Sequence, residues 1–157
     1  MDIVTDRLNL HALTPTEARH IVERAPDAED RWHAEYPLED ELDPLRSLAA
    51  SSEPDPVFTL YAIRTRPDNT AVGGIGFFGP PDDNGAVELG FGLVEAVRGQ
   101  GYATEALIGA VRHALAGGAR HVKADTDVQN FGSQNVLAKA GFREISRSDK
   151  LIYFRFP

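Results

Sequence analysis

Arg98-Gly99-Gln100-Gly101-Tyr102-Ala103 is the stretch on which the fold of this chain turns. It follows an apolar run, Ala86 to Leu93, and opens the most regular amphipathic segment. There Ala103, Ala106, Leu107, Ala110, Val111, Ala114 and Leu115 recur at helical spacing until Gly117-Gly118 ends the pattern. A glycine-rich turn from strand to helix presents successive main-chain N–H groups, and the helix N-terminus adds partial positive charge. The product is an anion site suited to a pyrophosphate. Small residues at 99, 101 and 103 let a ligand approach the backbone closely. A plain connecting turn needs one glycine, not two. No Gly-Lys-Ser/Thr follows, which excludes a P-loop.

A second cluster, Gly74-Ile75-Gly76-Phe77-Phe78-Gly79, matches the G-x-G-x-x-G spacing of dinucleotide folds. That fingerprint requires a following helix N-terminus to receive pyrophosphate. Pro80-Pro81-Asp82-Asp83 stand there instead, so the cluster reads as a glycine-rich strand and turn.

Outward from the loop the pattern alternates strands and helices. Strands are predicted over Ile3–Leu13, Val57–Ile63, Ala71–Phe78, Ala86–Leu93, His121–Thr126 and Leu151–Phe156. Thr14-Pro15-Thr16-Glu17 reads as a helix start, with a hydroxyl cap, Pro at the first helical position and an acidic first turn; that helix runs to about Arg24. A short helix over Ser133–Ala140 stops at Gly141. Residues 25–56 are irregular, rich in Pro, Asp and Glu, with a weak helical patch at Leu42–Leu48. Hairpin-linked strands followed by strand, helix, strand, helix and strand imply an α+β fold, a mixed sheet flanked by helices.

The chain has 157 residues, 42% of them hydrophobic and 25% charged, which fits one globular domain over 1–157. With no cysteine, disulfides, a thiolate nucleophile and a cysteine zinc site are excluded. The histidines are scattered without ligand spacing, so no metal is expected. The net charge of −8 argues against a nucleic-acid partner. Asp2, Asp6 and Arg7 interrupt any signal-like run, and no apolar stretch suits a membrane span, so a cytoplasmic protein is expected.

Arg98, Gly101 and Ala103 stand at the spacing of the motif Gln/Arg-x-x-Gly-x-Gly/Ala, by which the chain resembles the GNAT N-acetyltransferases. Val87-Glu88-Leu89-Gly90-Phe91-Gly92-Leu93 is similar to that family's fourth strand. Asn130-Phe131-Gly132-Ser133, a short helix and Lys139-Ala140-Gly141-Phe142 resemble another of its motifs. Thr5-Asp6-Arg7-Leu8-Asn9-Leu10 looks like the opening strand of the branch that includes the ribosomal-protein N-terminal acetyltransferases.

The resemblance implies a mostly antiparallel sheet of six to seven strands, splayed between its fourth and fifth, with acetyl-CoA as co-substrate. Phe91, Gly92 and Leu93 would pair with the pantetheine arm by main chain, and Asn130 would hold that arm. Arg98, Gly99, Gln100, Gly101, Tyr102 and Ala103 would grip the pyrophosphate. Asn130 also suits a helix N-cap. Direct attack by the amine needs a proton acceptor, for which Glu88 is the first candidate and Asp125 the second. Many relatives protonate the thiolate with a Tyr where this chain has Leu137, which leaves Ser133 to meet the sulfur.

The acceptor amine, a protein N-terminus or a small molecule, is expected on the side built by residues 25–56. Trp32 and Tyr36 are its candidate wall, with acids such as Glu35 and Glu39 attracting a cation. A non-catalytic acyl-CoA-binding module is the alternative, and a monomer or homodimer is the expected assembly.

Overall fold

The computed structural model describes all of residues 1–157. Eight strands form one sheet: β1 (Ile3–Val4), β2 (Leu8–Ala12), β3 (Leu60–Thr65), β4 (Ala71–Phe77), β5 (Ala86–Leu93), β6 (His121–Asp127), β7 (Arg143–Arg147) and β8 (Leu151–Phe156). The helices are α1 (Pro15–Glu23), α2 (Leu42–Ala49), α3 (Tyr102–Ala116) and α4 (Phe131–Lys139). The strand order is β1-β2-β3-β4-β5-β6-β8-β7. Every neighbouring pair is antiparallel except β5 and β6.

The two extra strands have separate causes. The opening segment folds back on itself, with Ile3 opposite Leu10 and Val4 opposite Asn9. Thr5 makes the turn, its N–H donating to the Leu8 carbonyl at 2.9 Å and its hydroxyl oxygen accepting the Leu8 N–H at 3.2 Å. β7 reads Arg-Glu-Ile-Ser-Arg and is exposed at all five positions, pairing with β8 alone. An edge strand with no buried face leaves no alternation to read. The second predicted strand also begins later, at Leu60, because the Asp55 carboxylate takes the Val57 and Phe58 N–H groups, each at 2.8 Å.

Alternation along the strands assigns the two faces. α3 lies over the face that carries Leu10, whose side chain is the neighbour of Gly109. Its Ala106, Leu107, Ala110 and Ala114 are completely buried there. The opposite face carries Ala62 and its partner Gly74, and is covered from the α2 side, where Glu41 meets Gly74. α1 starts as its sequence dictates: Thr14 Oγ1 accepts from Glu17 N–H at 3.1 Å, and Glu17 Oε1 accepts from Thr14 N–H at 3.0 Å. No helix is long and apolar enough to cross a membrane.

Candidate active site

β5 and β6 pair over three rungs, Ala86–His121, Val87–Val122 and Glu88–Lys123, and then part. Beyond Glu88, β5 pairs with β4 alone and β6 with β8 alone. Strand parity fixes which groups face the gap. Phe78 N–H donates to the Glu88 carbonyl at 2.9 Å and Val94 N–H to the Val72 carbonyl at 2.8 Å, so the even-numbered residues of β5 bond toward β4. Leu89, Phe91 and Leu93 therefore turn their main-chain groups into the gap. Gly92, expected to join them, bonds toward β4 instead. Its contribution is room, since a Cβ there would lie 2.7 Å from Leu38 Cδ1.

The loop after β5 is held in left-handed geometry at Gly99 (φ +81°) and Gly101 (φ +84°). The N–H groups of Gly99, Gln100 and Gly101 have no protein acceptor, nor do those of Tyr102 and Ala103 in the first turn of α3. Arg98 Nε donates to the Leu93 carbonyl at 3.1 Å and ties the loop to the strand end. Arg7 braces it from the other side. Its Nη1 donates to the Gln100 carbonyl at 2.8 Å, and its guanidinium lies 4.6 Å from the centre of the Tyr102 ring.

A cavity of about 390 Å³ opens at the parting of β5 and β6. Its floor is β4 and β5, where Gly74 faces Gly92 and Gly76 faces Gly90. The space of each missing Cβ is taken by another side chain: Glu41 over Gly74, Leu38 over Gly92, Leu60 over Gly76 and Phe78 over Gly90. The glycine cluster that mimics a dinucleotide fingerprint is thus a flat stretch of strand on which the cleft walls rest. One wall is the segment Leu38–Leu45, and the other carries Asp125, Asp127, Asn130 and Ser133.

The sequence candidates divide accordingly. Asp125 and Ser133 line the cleft. Asn130 lines it while capping α4, its Oδ1 accepting from Ser133 N–H at 3.1 Å, which leaves the amide NH₂ for a ligand. Glu88, the first candidate for the base, stands on the last closed rung, exposed and outside the cleft lining. Leu137 is completely buried in the core. Tyr36 is buried and reaches the cleft, and burial pushes its hydroxyl far above the usual tyrosine range. Trp32 does not reach the cleft. It packs behind Tyr36, ring centres 5.7 Å apart, and lines a separate cavity of about 320 Å³ with Arg24 and Glu35.

Two residues carry more than the sequence revealed. Arg7 was legible as part of the opening motif, but its contact with the loop was not. Glu41 lay unmarked in an acidic run, yet it lines the cleft, and its Oε2 accepts the Leu38 N–H at 2.7 Å. Burial holds its carboxyl up at about 7. His20, Asp27 and Asp30 also gather ligand atoms within 4.8 Å of one another. There His20 Nε2 bonds Asp30 Oδ2 at 2.7 Å, and the same oxygen accepts from Asp27 N–H at 2.7 Å, so that oxygen is already engaged within the group.

Residues 7–143 match the family model of the acetyltransferase (GNAT) domain. The chain belongs to the GNAT acetyltransferase family. It is 36% identical over 86 residues to the uncharacterized N-acetyltransferase YjdG of Bacillus subtilis (strain 168), a match covering 54% of this chain and 51% of that protein. The chain thus spans about half the length of this curated relative. Among solved structures, a GNAT-family acetyltransferase from Bacillus anthracis superposes with TM-score 0.71 at 18% identity, covering 99% of this chain and 98% of that one. RimL, a ribosomal L7/L12 α-N-protein acetyltransferase in complex with coenzyme A, gives 0.71 at 16% identity, covering 99% and 97%. At those identities the likeness concerns the fold. The free N–H groups at 99–103 and the open edge at Phe91 and Leu93 fit a GNAT co-substrate with a pyrophosphate and an amide-bearing arm.

Proposed function

We propose that this chain transfers the acetyl group of acetyl-CoA to a primary amine that arrives as a cation. The observation that carries the reading is the meeting of two features. The parted edges of β5 and β6 open into a cavity lined by Asp40, Glu41, Asp125 and Asp127 and by no Lys or Arg.

Bound acetyl-CoA supplies the thioester carbonyl carbon, on which the amine nitrogen forms its new bond as the C–S bond breaks. The chain's own groups bind and orient. The N–H groups of Gly99 to Ala103 receive the pyrophosphate, with the dipole of α3 behind them. Phe91 and Leu93 bond the amides of the pantetheine arm as a neighbouring strand would, and the Asn130 amide fixes the arm near the thioester. A main-chain N–H on the open β5 edge stabilises the carbonyl oxygen as negative charge builds on it. The Ser133 hydroxyl lines the same cleft and donates to the departing sulfur.

The acids attract an ammonium and leave the choice between a peptide N-terminus and a small amine to the shape of the Leu38–Leu45 wall. The test is a panel of N-terminal peptides, amino acids, polyamines and aminated antibiotics, scored by thiol release from acetyl-CoA and by mass of the acylated product. Turnover of one class supports the reading. Tight acetyl-CoA binding without turnover of any amine would leave an acyl-CoA-binding module.

A further inference from the structure

Glu41 is a carboxylate without a cation. Two acids two positions away are paired at the surface: Glu39 Oε2 accepts from Arg24 at 2.7 Å, and Asp43 Oδ1 from Arg46 at 2.8 Å. Glu41 instead turns inward from the 3₁₀ turn that precedes α2 and lines the cleft. Its Oε2 takes the Leu38 N–H, which fixes the side chain, while Oε1 lies against Gly74 and has no protein donor. Gly74 permits the pose, because any side chain there would occupy the place of Oε1. A free carboxylate oxygen is thereby held over the paired glycines, on the side of the cleft opposite Asn130 and Ser133.

We propose that Glu41 is the proton acceptor for the incoming ammonium, receiving one proton at Oε1 so that the nitrogen lone pair is free to attack. The inference rests on the acetyl-transfer function proposed above and names its base. The balance closes. An ammonium that becomes an amide gives up two protons. One passes to Glu41 and on to solvent, and the other ends on the coenzyme A sulfur, which leaves with the C–S electron pair. The ionisable groups that share the cavity are Tyr36, Asp40, Tyr61, Asp125 and Asp127. Burial is the first cause of the raised Glu41 carboxyl, and the charge of Asp40 adds to it. A carboxyl near 7 is suited to taking a proton at neutral pH.

The experiment compares wild type, Glu41→Gln and Glu41→Asp with one acceptor amine from the panel. Gln keeps the volume and can still accept the Leu38 N–H. The expected result is an acetyl-CoA Kd unchanged in all three proteins. In Glu41→Gln, kcat/KM at pH 7 falls about 10²-fold, and the limb rising through pH 7 is lost. The deficit shrinks above pH 9, where the amine deprotonates unaided. Glu41→Asp keeps the limb at a reduced rate. A stability readout runs in parallel. A raised acid contributes stability below its unfolded value near 4.5 and loses it as pH rises through about 7, so Glu41→Gln melts above wild type at pH 8. Glu41→Gln turnover within threefold of wild type, or lowered turnover with the limb intact, overturns the assignment while acetyl transfer stands. Absence of wild-type turnover with every amine overturns both.

Discussion

Arg7 Nε donates to Glu105 Oε1 at 2.7 Å, joining residues 98 positions apart in the chain. The Glu105 carboxylate also takes the Arg7 N–H at 2.8 Å and the Thr5 hydroxyl at 2.5 Å. The tip of the β1–β2 hairpin is therefore latched to the first turn of α3, and through Gln100 to the glycine-rich loop itself. Arg7→Met removes the latch while keeping most of the stem that packs on Tyr102. The expected outcome is an acetyl-CoA Kd raised roughly tenfold, about 1.4 kcal/mol, with acceptor KM unchanged. Calorimetric titration of acetyl-CoA checks the first quantity and steady-state kinetics the second.

Gly101 opens α3 at φ +84°, with the Arg7 guanidinium 3.2 Å from where a Cβ would stand. A β-branched residue is strained in that region by about 1–2 kcal/mol, and its side chain would press on the Arg7 guanidinium that braces the loop, disturbing the N–H groups offered to the pyrophosphate. Gly101→Val should still fold. It should show no thermal upshift with saturating acetyl-CoA, where wild type gains several degrees.

Gly74→Ala tests the glycine floor. The new methyl would take the space of the Glu41 carboxylate and push that side chain off its perch. Acceptor turnover should drop at least tenfold while acetyl-CoA affinity is kept. An unchanged kcat/KM would show that the floor tolerates a side chain.

The N-terminal hairpin carries a pH-dependent clasp. His11 Nε2 meets Glu17 Oε2 at 2.7 Å, and its Nδ1 meets Asp2 at 3.1 Å. The hydrogen bond to Glu17 is the largest cause of a His11 pKa raised to about 9, and the same contact lowers that of Glu17. A histidine raised in the folded state contributes stability below its unfolded value near 6.5 and loses it as pH rises through 9. His11→Gln should therefore melt below wild type at pH 6, with the gap closing between pH 6.5 and 9. Melting curves across that range read the trend directly, and a gap independent of pH would refute the clasp.

Trp32 is half-buried, edge-on to Tyr36 and tilted against His20, away from the cleft. Trp32→Ala should destabilise the fold by about 2 kcal/mol, less than a fully buried Trp loses, and leave acceptor KM within twofold. A large KM effect with an unchanged melting temperature would return Trp32 to the acceptor pocket.

Much was written in the linear pattern because its causes are local. The capped start of α1, the apolar stripe of α3, the Asn130 cap and the glycine-rich turn at 98–103 each depend on residues within a few positions of one another. The splay was implied by resemblance alone, and its register, ending at Glu88–Lys123, came from the sheet.

The rest belongs to tertiary structure, because it depends on what faces what across long separations. Glu88 stands alone in strand-like sequence and Glu41 in an irregular acidic run, and no local rule ranks them. Glu88 ends on a closed rung in solvent, whereas the 3₁₀ turn before α2 swings Glu41 over Gly74. The Gly74–Gly92 and Gly76–Gly90 pairs likewise exist only once β4 and β5 are in register, which turns a false nucleotide fingerprint into the floor of a cleft. The sequence by itself determined the family, most of the elements and the glycine-rich loop that opens α3. Burial, parity and register, which are properties of the packed sheet, decided which carboxylates line the cleft.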